Sequence, residues 1–568
     1  MNAEKLRTLS IGRIAGASLV AVSMLWLAQP PFCLWLLGFV ALVPFIDLIE
    51  ADQPIRRRGY LAIWAISSLY FLLSLQGLRL AHPAMVFPWL ALGGYLGVYL
   101  VVFVGVARKL RSSGVPLLIV VPLVWIAQEC VRNYLLTGIS AIMLGHVFAD
   151  VPTMIQIADL FGSYGPGAVA ALCSVAVWDL KEVVRRSQSF SKAGMSSVAA
   201  VVALSATIGY GTYRLSQPEG DPLATFALIQ RNEPVEYGQS IEREVEMFQA
   251  YARQSIEVAR AAETPIDAFV WPESMYTGGS PWMFSGNSMV VPEAAGMTDA
   301  EFQQWVQQQQ RNFQERSGYV QNALAAELPD QRRPQLIVGC GVVSYDDVPH
   351  VYSGVIRIEG EDTAPDWYGK THLVMFGEYI PIAPYIPGIR SLIPPGMGLQ
   401  KGPGAICLSV GDTVVSPNIC IETAVERVTV RQMQTLDSNG GMPDVIVTVT
   451  NDGWFDDSSV IDHHLRCAQL VAVACRRPLL SAANNGPTAW IDSRGRIIER
   501  VATGSEGAIL ATPLRDSQRS LAVRIGDWPA RITVLLCLLL LLRTRFSNGA
   551  ETPDESESSD PEAVVTDS

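Results

Sequence analysis

The sequence TVVSPNICIE, from Thr413 to Glu422, joins an apolar strand pattern to the start of a helical pattern. Thr413–Ser416 predicts a short strand, and the apolar spacing from Glu422 to Leu436 predicts a helix. Strands that alternate with helices are typical of α/β proteins, which bind ligands at the carboxyl ends of their strands. Cys420 therefore lies at a strand-to-helix turn of the kind that exposes a nucleophile. Its position beside a helix N-terminus predicts a lowered thiol pKa.

The same alternation extends outward over residues 220–523, which have the composition of a soluble α/β domain. The predicted strands are Ala224–Gln230, Ala268–Trp271, Leu336–Val343, Val351–Ile358, Thr413–Ser416, Val445–Val449, Leu479–Ala482, Thr488–Ile491, Ile497–Arg500 and Ala508–Ala511. The predicted helices are Ile241–Ala262, Glu301–Leu328, Glu422–Leu436 and Val460–Cys475. Because antiparallel hairpins are indicated as well, this segment predicts a mixed α/β sandwich.

Apolar stretches long enough to cross a membrane precede this segment, and one follows it. About 20 mostly apolar residues span the hydrocarbon core of a bilayer. Residues 1–215 predict seven spans, at Ile11–Leu27, Phe32–Ile49, Gly59–Leu78, Ala84–Ala107, Val115–Glu129, Leu160–Leu180 and Ser197–Leu215. Residues 524–545 predict an eighth, Ile525–Leu542. The first two are short and joined by Gln29-Pro30-Pro31, so a re-entrant pair remains an alternative.

Lysines and arginines occupy every second connection between the predicted spans, and such connections lie on the cytoplasmic side of a membrane. Both termini are therefore expected in the cytoplasm, and residues 220–523 on the opposite side. The acidic tail, residues 546–568, is predicted to be disordered. The basic residues are Lys5, Arg7 and Arg13; Arg56, Arg57 and Arg58; Arg108, Lys109 and Arg111; Lys181, Arg185, Arg186 and Lys192; and Arg543 and Arg545.

The composition argues against several classes of function. Of the 568 residues, 49% are hydrophobic and only 17% are charged, which is fewer charges than an ordinary soluble protein has. The net charge is −12, so a basic face for nucleic acid is not expected. The nine cysteines form no closely spaced pairs near histidines, which argues against a zinc site or a disulfide framework. Since no nucleotide-binding fingerprint occurs either, neither a metal nor a cofactor is expected.

Two further motifs could serve a nucleophilic cysteine. In Trp271-Pro272-Glu273 the proline ends an apolar strand, which holds the carboxylate at the strand's carboxyl end. In YGKTHLVMFGE, residues 368–378, Lys370 is surrounded by aromatic and aliphatic residues, and a buried lysine requires a carboxylate partner. A thiol attacks a carbonyl when a base takes its proton and a cation or N–H donors hold the oxyanion. The candidates are Glu273, Lys370 and the backbone N–H of Ile421, since no histidine has a comparable position.

This Glu–Lys–Cys set in an α/β segment resembles the carbon-nitrogen hydrolase (nitrilase) superfamily, whose fold is an αββα sandwich. The flanking motifs, and a sandwich between the last two of eight spans, are similar to the membrane-integrated apolipoprotein N-acyltransferase family. Any one motif is weak, whereas the ordered set together with the topology is specific. The motifs are Trp271-Pro272-Glu273, Gly369–Val374, Phe376–Tyr379, Cys420 with Glu422, Thr450–Phe455, Arg477-Pro478-Leu479 and Asn484–Ala489.

The resemblance implies roles for individual residues. Glu273 would be the general base, Lys370 the cation that stabilises the oxyanion, and Cys420 the nucleophile. Glu378 would be a second active-site carboxylate that holds the lysine. Trp454, Asn451 and Glu422 would line or support the pocket. Three features depart from the family pattern: Met375 replaces a proline, Ile421 replaces an aromatic residue, and the stretch between Glu273 and Lys370 is longer than usual.

The resemblance also implies a reaction. An acyl chain would pass from a membrane phospholipid, through a thioester on Cys420, to the N-terminal amino group of the lipid-modified cysteine of a diacylglyceryl apolipoprotein. The protein would be a monomer in the bacterial inner membrane, with its catalytic domain on the periplasmic side. A membrane-tethered amidase that hydrolyses an extracytoplasmic amide is an alternative, because it would use the same triad. A membrane scaffold or transporter with an inactive domain is a second alternative, which the complete triad disfavours.

Overall fold

The computed structural model describes residues 8–185, 190–235, 240–286, 289–292, 295–375, 377–379 and 398–549. For residues 190–192 and 546–549 it describes the backbone only. Most of the predicted acidic tail, and Phe376 of the lysine motif, lie outside the described residues.

Nine α-helices form the N-terminal part of the described chain. They pack around one apolar core, which also takes in side chains from the C-terminal helix. Short 3-10 turns connect some of them, among them Trp35–Phe39. The helices are α1 (Ile11–Ala28), α2 (Val43–Ile49), α3 (Arg57–Ser74), α4 (Val86–Ser112), α5 (Leu117–Arg132), α6 (Pro152–Ile155), α7 (Ala158–Phe161), α8 (Tyr164–Val184) and α9 (Phe190–Leu215).

Several of these helices could cross a membrane. Within the described residues, three helical stretches are long and apolar enough by length and composition: Ile11–Ala28, Pro83–Ser112 and Ala193–Leu215. The bent pair Pro152–Phe161 and Tyr164–Val184 makes a fourth if it counts as one span. The N-terminal part is thus a helical bundle with several candidate spans, and the predicted total of eight spans stays a prediction.

The predicted second and eighth spans differ from the helices observed. Residues 32–49 do not form one helix, because a 3-10 turn at Trp35–Phe39 is followed by α2, whose first turn contains Pro44. This break is in keeping with the re-entrant alternative. The predicted eighth span begins later and ends later than expected, since its helix runs over Trp528–Gly549.

Residues 226–511 form two β-sheets, in which the inner strands are largely parallel and the outer ones antiparallel. The 7-stranded sheet has the order β13-β1-β2-β4-β5-β6, with β3 paired to β4, and the 6-stranded sheet has the order β12-β11-β10-β9-β8-β7. The strands are β1 (Phe226–Gln230), β2 (Ala268–Trp271), β3 (Trp282–Ser285), β4 (Gln335–Tyr345), β5 (Pro349–Ile358), β6 (Asp366–Gly369), β7 (Leu408–Val410), β8 (Thr413–Ile419), β9 (Val445–Thr450), β10 (Leu479–Ala483), β11 (Ala489–Ile491), β12 (Ile497–Arg500) and β13 (Gly507–Ala511).

Helices cover the outer face of each sheet. The remaining helices are α10 (Ile241–Ala261), α11 (Asp299–Glu327), α12 (Ile421–Ala424), α13 (Glu426–Asn439), α14 (Ser459–Cys475), α15 (Leu521–Ile525) and α16 (Trp528–Gly549). One apolar cluster joins α10 and α11 to the first sheet, a second lies between the sheets, and a third joins α13 and α14 to the second sheet. The predicted αββα sandwich is therefore confirmed.

Most predicted strands and helices are present with their ends shifted by one or two residues. The short strands β3, β6 and β7 were not predicted, because their sequences are too short for a recognisable alternation. The predicted helix Glu422–Leu436 is two helices, since α12 ends at Ala424 and Val425 has a non-helical backbone.

Helix α14 lies between the sandwich and the helical bundle. Its Leu470 and Val473 belong to the bundle core, while Val471 and Ala472 pack with the second sheet. Polar contacts add to this, because Gln469 Nε2 donates to the carbonyl of Ala149 over 3.2 Å. α14 is buried over most of its length, as expected of a helix between two packed layers, and it joins the sandwich to the bundle.

A glycine in β4 makes room for the end of β2. A Cβ at Gly339 would lie 2.3 Å from the carbonyl oxygen of Pro272 and 2.4 Å from the Cα of Glu273. We therefore expect Gly339→Ala to displace Glu273 and to lower the free energy of unfolding by about 1–3 kcal/mol, as overpacking does. Thermal unfolding and thiol acylation would both be measured. Gly360→Ala is the matched control, because nothing lies within 4 Å of its Cβ; equal stability of the two variants would contradict this account.

Candidate active site

The predicted catalytic residues follow strands from both sheets. Glu273 comes two residues after β2, and Lys370 directly follows β6. Cys420 directly follows β8 in the other sheet. Because the sheets face each other across a shared apolar layer, these strand ends open toward one site.

Lys370 is buried between two carboxylates. Its side chain is 1% exposed, and Nζ donates to Glu273 Oε1 over 3.1 Å and to Glu378 Oε1 over 2.6 Å. The other oxygen of Glu378 accepts the backbone N–H of Val374 over 2.7 Å. A buried ammonium needs such partners, since removing it from water is costly. The sequence prediction of a partly buried lysine with a carboxylate partner thus agrees with the observed contacts.

The pKa values of Lys370 and Glu273 are shifted by burial and by their charged neighbours. Burial opposes the charge of Lys370, but Glu273 and Glu378 outweigh it and raise the pKa of Lys370 well above its ordinary value. Burial also raises the pKa of Glu273, although the lysine counteracts this. A carboxylate with a raised pKa is a better proton acceptor, so Glu273 has the character expected of a general base.

Cys420 has a strained backbone. Its φ of 47° and ψ of −109° lie in a region that side chains rarely adopt, and its N–H donates to the carbonyl of Val449 over 2.9 Å. Such strain is typical of nucleophiles held at the end of a strand. Cys420 is half-buried and free of any disulfide.

The predicted lowering of the Cys420 pKa is wrong. Burial, followed by the negative charge of Glu273, raises the pKa of the thiol well above its usual range, and Lys370 only partly offsets this. The helix that begins after Cys420 has four residues, so its dipole is too weak to stabilise a thiolate. The resting thiol is consequently protonated and needs a base.

Glu422 is fully buried and ties two segments together. Its Oε1 accepts the backbone N–H groups of Thr371 and His372, over 2.7 and 3.1 Å, and these residues directly follow Lys370. Its Oε2 accepts the N–H of Ile419 over 2.9 Å, just before Cys420. Glu422 therefore fixes the lysine segment relative to the cysteine turn, in keeping with its predicted supporting role.

The remaining predicted residues lie at the same end of the sandwich. Asn451 directly follows β9, and its Oδ1 accepts Asn484 Nδ2 over 3.1 Å. Trp454 lies in the 3-10 helix Asp452–Phe455 that comes next. Ile421 is the first residue of α12, where backbone N–H groups have no helical acceptor. Their roles in binding substrate or oxyanion stay predictions.

The site contains three residues whose roles were not predicted: Ser353, His464 and Asp452. Ser353, in β5, donates through Oγ to Glu273 Oε1 over 3.1 Å and accepts the N–H of Lys370 at its carbonyl. His464, in α14, contacts the carbonyl oxygen of Cys420 through Nε2 over 3.1 Å and Asp452 through Nδ1 over 3.2 Å. His464 contacts the backbone of Cys420 and not its sulfur, so it does not contradict the expectation that the thiol is served by Glu273 and not by a histidine. No local sequence signal reveals these contacts, because they join distant segments.

The Asp452–His464 pair gives a pH-dependent prediction. Burial lowers the pKa of His464, but Asp452 outweighs this and the net pKa is raised. A raised pKa stabilises the fold below the unfolded pKa, and the stabilisation is lost as the pH rises through the folded value. At low pH we expect the free energy of unfolding of wild type to exceed that of His464→Gln by about 1–2 kcal/mol, which thermal unfolding would measure. This difference in stability should shrink as the pH rises. A gap independent of pH would count against the charged pair.

Comparison with known proteins places the chain among carbon-nitrogen hydrolases and apolipoprotein N-acyltransferases. A carbon-nitrogen hydrolase family model matches residues 168–522, and an apolipoprotein N-acyltransferase N-terminal domain model matches residues 21–176. An apolipoprotein N-acyltransferase of Rhodopirellula baltica is 45% identical over 91% of this chain and 94% of its own length. One of Geobacter metallireducens is 30% identical over 72% of each chain. A carbon-nitrogen hydrolase superfamily structure from Xanthomonas campestris is 15% identical, covers 55% of this chain and 97% of its own, and has a TM-score of 0.31.

The fold and the site thus define a carbon-nitrogen hydrolase domain joined to a helical membrane bundle. With a relative 45% identical over nearly its whole length, the chain belongs to the apolipoprotein N-acyltransferase family.

Proposed function

We propose that this protein transfers an acyl chain from a membrane phospholipid to the N-terminal amino group of the lipid-modified cysteine of apolipoproteins. The observation that carries the proposal is Lys370, held between Glu273 and Glu378 beside a cysteine at a strained strand end. The reaction follows from family membership, because relatives that match 91% and 72% of this chain are named apolipoprotein N-acyltransferases.

The first half-reaction would acylate Cys420. Glu273 takes the thiol proton, and the sulfur forms a bond to the carbonyl carbon of the phospholipid ester. Lys370, with the N–H of Ile421, stabilises the oxyanion. The C–O bond then breaks, Glu273 returns the proton to the departing oxygen, and a lysophospholipid leaves a thioester on the enzyme. The raised pKa of Glu273 favours this proton transfer from a thiol whose own pKa is high.

The second half-reaction would transfer the acyl chain to the acceptor and restore the free thiol of Cys420. The amino group of the apolipoprotein attacks the thioester carbonyl and gives a proton to Glu273. The C–S bond breaks, the thiolate recovers the proton, and an N-acylated lipoprotein is formed. Two half-reactions through one covalent intermediate predict ping-pong kinetics. Glu378, Glu422, Asn451 and Trp454 serve as supporting residues, and neither a metal nor a cofactor takes part.

A membrane-tethered amidase would use the same residues, but it is less well supported. Both relatives described above are named acyltransferases, and the N-terminal family model is specific to that family. A bundle joined to the sandwich through α14 also suits a substrate that lies in a membrane.

For the whole chain we propose a domain order and an orientation. Residues 1–215 form the membrane bundle, 220–523 the catalytic domain, 524–545 a last span and 546–568 a cytoplasmic tail. The alternating basic connections support two cytoplasmic termini and a periplasmic catalytic domain in the inner membrane. The protein acts as a monomer.

The first test is mass spectrometry of the purified protein after incubation with diacyl phospholipid and no acceptor. We expect an acyl adduct on Cys420 that hydroxylamine removes and that is absent in Cys420→Ser. Cys407→Ser is the matched control and should still be acylated on Cys420, because it removes another cysteine of the same domain, an exposed one that has no predicted catalytic role. A folded protein with a reactive thiol but no adduct would favour the amidase.

The orientation is tested in cells by fusing a fluorescent reporter to the C-terminus. A cytoplasmic C-terminus makes the reporter fluoresce and protects it from protease added to spheroplasts. The same protease should cleave at an exposed site inserted after Gly360, in the proposed periplasmic domain. Cleavage of the reporter, with the inserted site protected, would reverse the orientation.

A further inference from the structure

A cavity of about 390 Å³ lies beside the candidate active site, where the sandwich meets the bundle. One wall is the segment that follows Lys370, with Thr371 and His372. A second wall is the first half of α13, and Thr137 from the bundle closes a third side. The cavity is therefore bounded by the lysine segment, by the helix that follows the cysteine turn and by the bundle.

The charge of this cavity is one-sided. Lys401, Arg427 and Arg431 line it, and among the described residues no aspartate or glutamate does. Within the part of the chain that the structure describes, no ion pair within 4.0 Å involves any of these three cations. The carboxylate that acts most on Arg427 is Asp527, which pairs with Arg531 instead. Cations that share a cavity without carboxylates are an arrangement suited to an anionic ligand.

One of the three cations, Arg427, is held in place by hydrogen bonds to the bundle. Arg427 donates from Nε to the carbonyl of Asn133 over 2.5 Å and from Nη2 to that of Thr137 over 2.6 Å. Lys401 is exposed but precedes Gly402, whose N–H donates to the carbonyl of Lys370 over 2.8 Å. Arg431 lies one turn after Arg427 on α13 and is exposed. Two of the three cations therefore keep their ends available to a ligand.

His372 lies among the same positive charges. Burial, followed by Arg427, Lys401 and Lys370, lowers the pKa of His372 to about 4. The imidazole is neutral at physiological pH, so it adds a hydrogen-bonding group and no further charge.

The cavity is close to the reacting groups. Thr371, in its wall, directly follows Lys370, and the carboxylate of Glu422 binds both Thr371 and the chain before Cys420. In a phospholipid, the phosphate lies a few bonds from the ester carbonyls. A phosphate in this cavity would let the rest of the donor extend past Thr371 toward Lys370 and the cysteine turn.

We propose that this cavity binds the phosphate group of the phospholipid donor, with Lys401, Arg427 and Arg431 as its cationic ligands. The inference rests on the proposed function, since it names the site that orients the first substrate. A free phosphate would satisfy the same chemistry, and the test separates the two sources.

The test uses Lys401→Gln/Arg431→Gln, which leaves Arg427 and its bonds to the bundle intact. The matched control is Arg260→Gln/Arg332→Gln, which removes two exposed charges elsewhere on the sandwich. Acylation of Cys420 is followed by intact mass with two donors in the same detergent micelles: diacyl phosphatidylethanolamine, and p-nitrophenyl palmitate, which has no phosphate.

For the double variant we expect the concentration of phosphatidylethanolamine that gives half-maximal acylation rate to rise by about tenfold or more. The maximal rate and the reaction with p-nitrophenyl palmitate should be unchanged, and the control variant should behave as wild type. An equal loss with both donors, or no loss with the phospholipid, would overturn the proposal.

Thermal unfolding with added inorganic phosphate distinguishes a site for the phospholipid phosphate from a site for free phosphate. Together with the acylation data, it also distinguishes failure of the proposed phosphate site from failure of the proposed acyl transfer. If phosphate stabilises wild type but not the double variant, while phospholipid acylation is equal in both, the cavity binds free phosphate and the donor role is wrong. If wild type is acylated by the palmitate ester but never by the phospholipid, the proposed function fails. In that case loss of phosphate stabilisation in the double variant would still support an anion site.

Discussion

A single ammonium group, that of Lys370, sets the constraints on the active end of the sandwich. Taken out of water, it is stable only while Glu273 and Glu378 contact it. Those carboxylates come from different segments, one after β2 and one from the loop beyond β6. The contacts therefore fix where both chain segments run, and the loss of both carboxylates would leave an unpaired ammonium in the interior.

Several neighbouring features hold this ion cluster in place. Gly339 lets the chain at Pro272 approach β4, and Ser353 binds Glu273 and the Lys370 backbone together. Glu422 then connects the lysine segment to the cysteine turn across the two sheets. On the far side of that turn, His464 and Asp452 hold the carbonyl of Cys420. Polar contacts from both sheets thus determine the position of the nucleophile.

Much of this could be predicted from the sequence, because the signals were local. The proline of Trp271-Pro272-Glu273 ends a strand where the carboxylate is needed, and Thr413–Ser416 leads straight to the cysteine. The residues that were missed act through tertiary contacts. In the sequence His464 is one residue of a predicted helix, and its role follows only from the packing of α14 against the turn at Cys420. The pKa of Cys420 was predicted wrongly for the same reason, since burial and Glu273 decide it and a short helix does not.

The strands that were missed show the same limit at the level of the fold. β6 has four residues, and its sequence DWYG lacks a clear alternation, yet pairing with β5 orders it and positions Lys370 at its end. The split of the helix after Cys420 at Val425 likewise depends on packing against neighbouring segments. Periodicity located the large elements, while partners in space determined the short ones.

The ion cluster of Lys370, Glu273 and Glu378 has one more acid than base. Because of this, the proposed proton transfers can take place within the site. With the thiol protonated, two carboxylates face one ammonium, so one negative charge is left over. Moving the proton from sulfur to Glu273 relocates that charge without changing the total. An interior of low dielectric strongly resists a change in total charge but tolerates its redistribution between neighbours. In each half-reaction Glu273 can thus accept one proton and give it back within the site. No proton has to be exchanged with bulk water while the thioester is present.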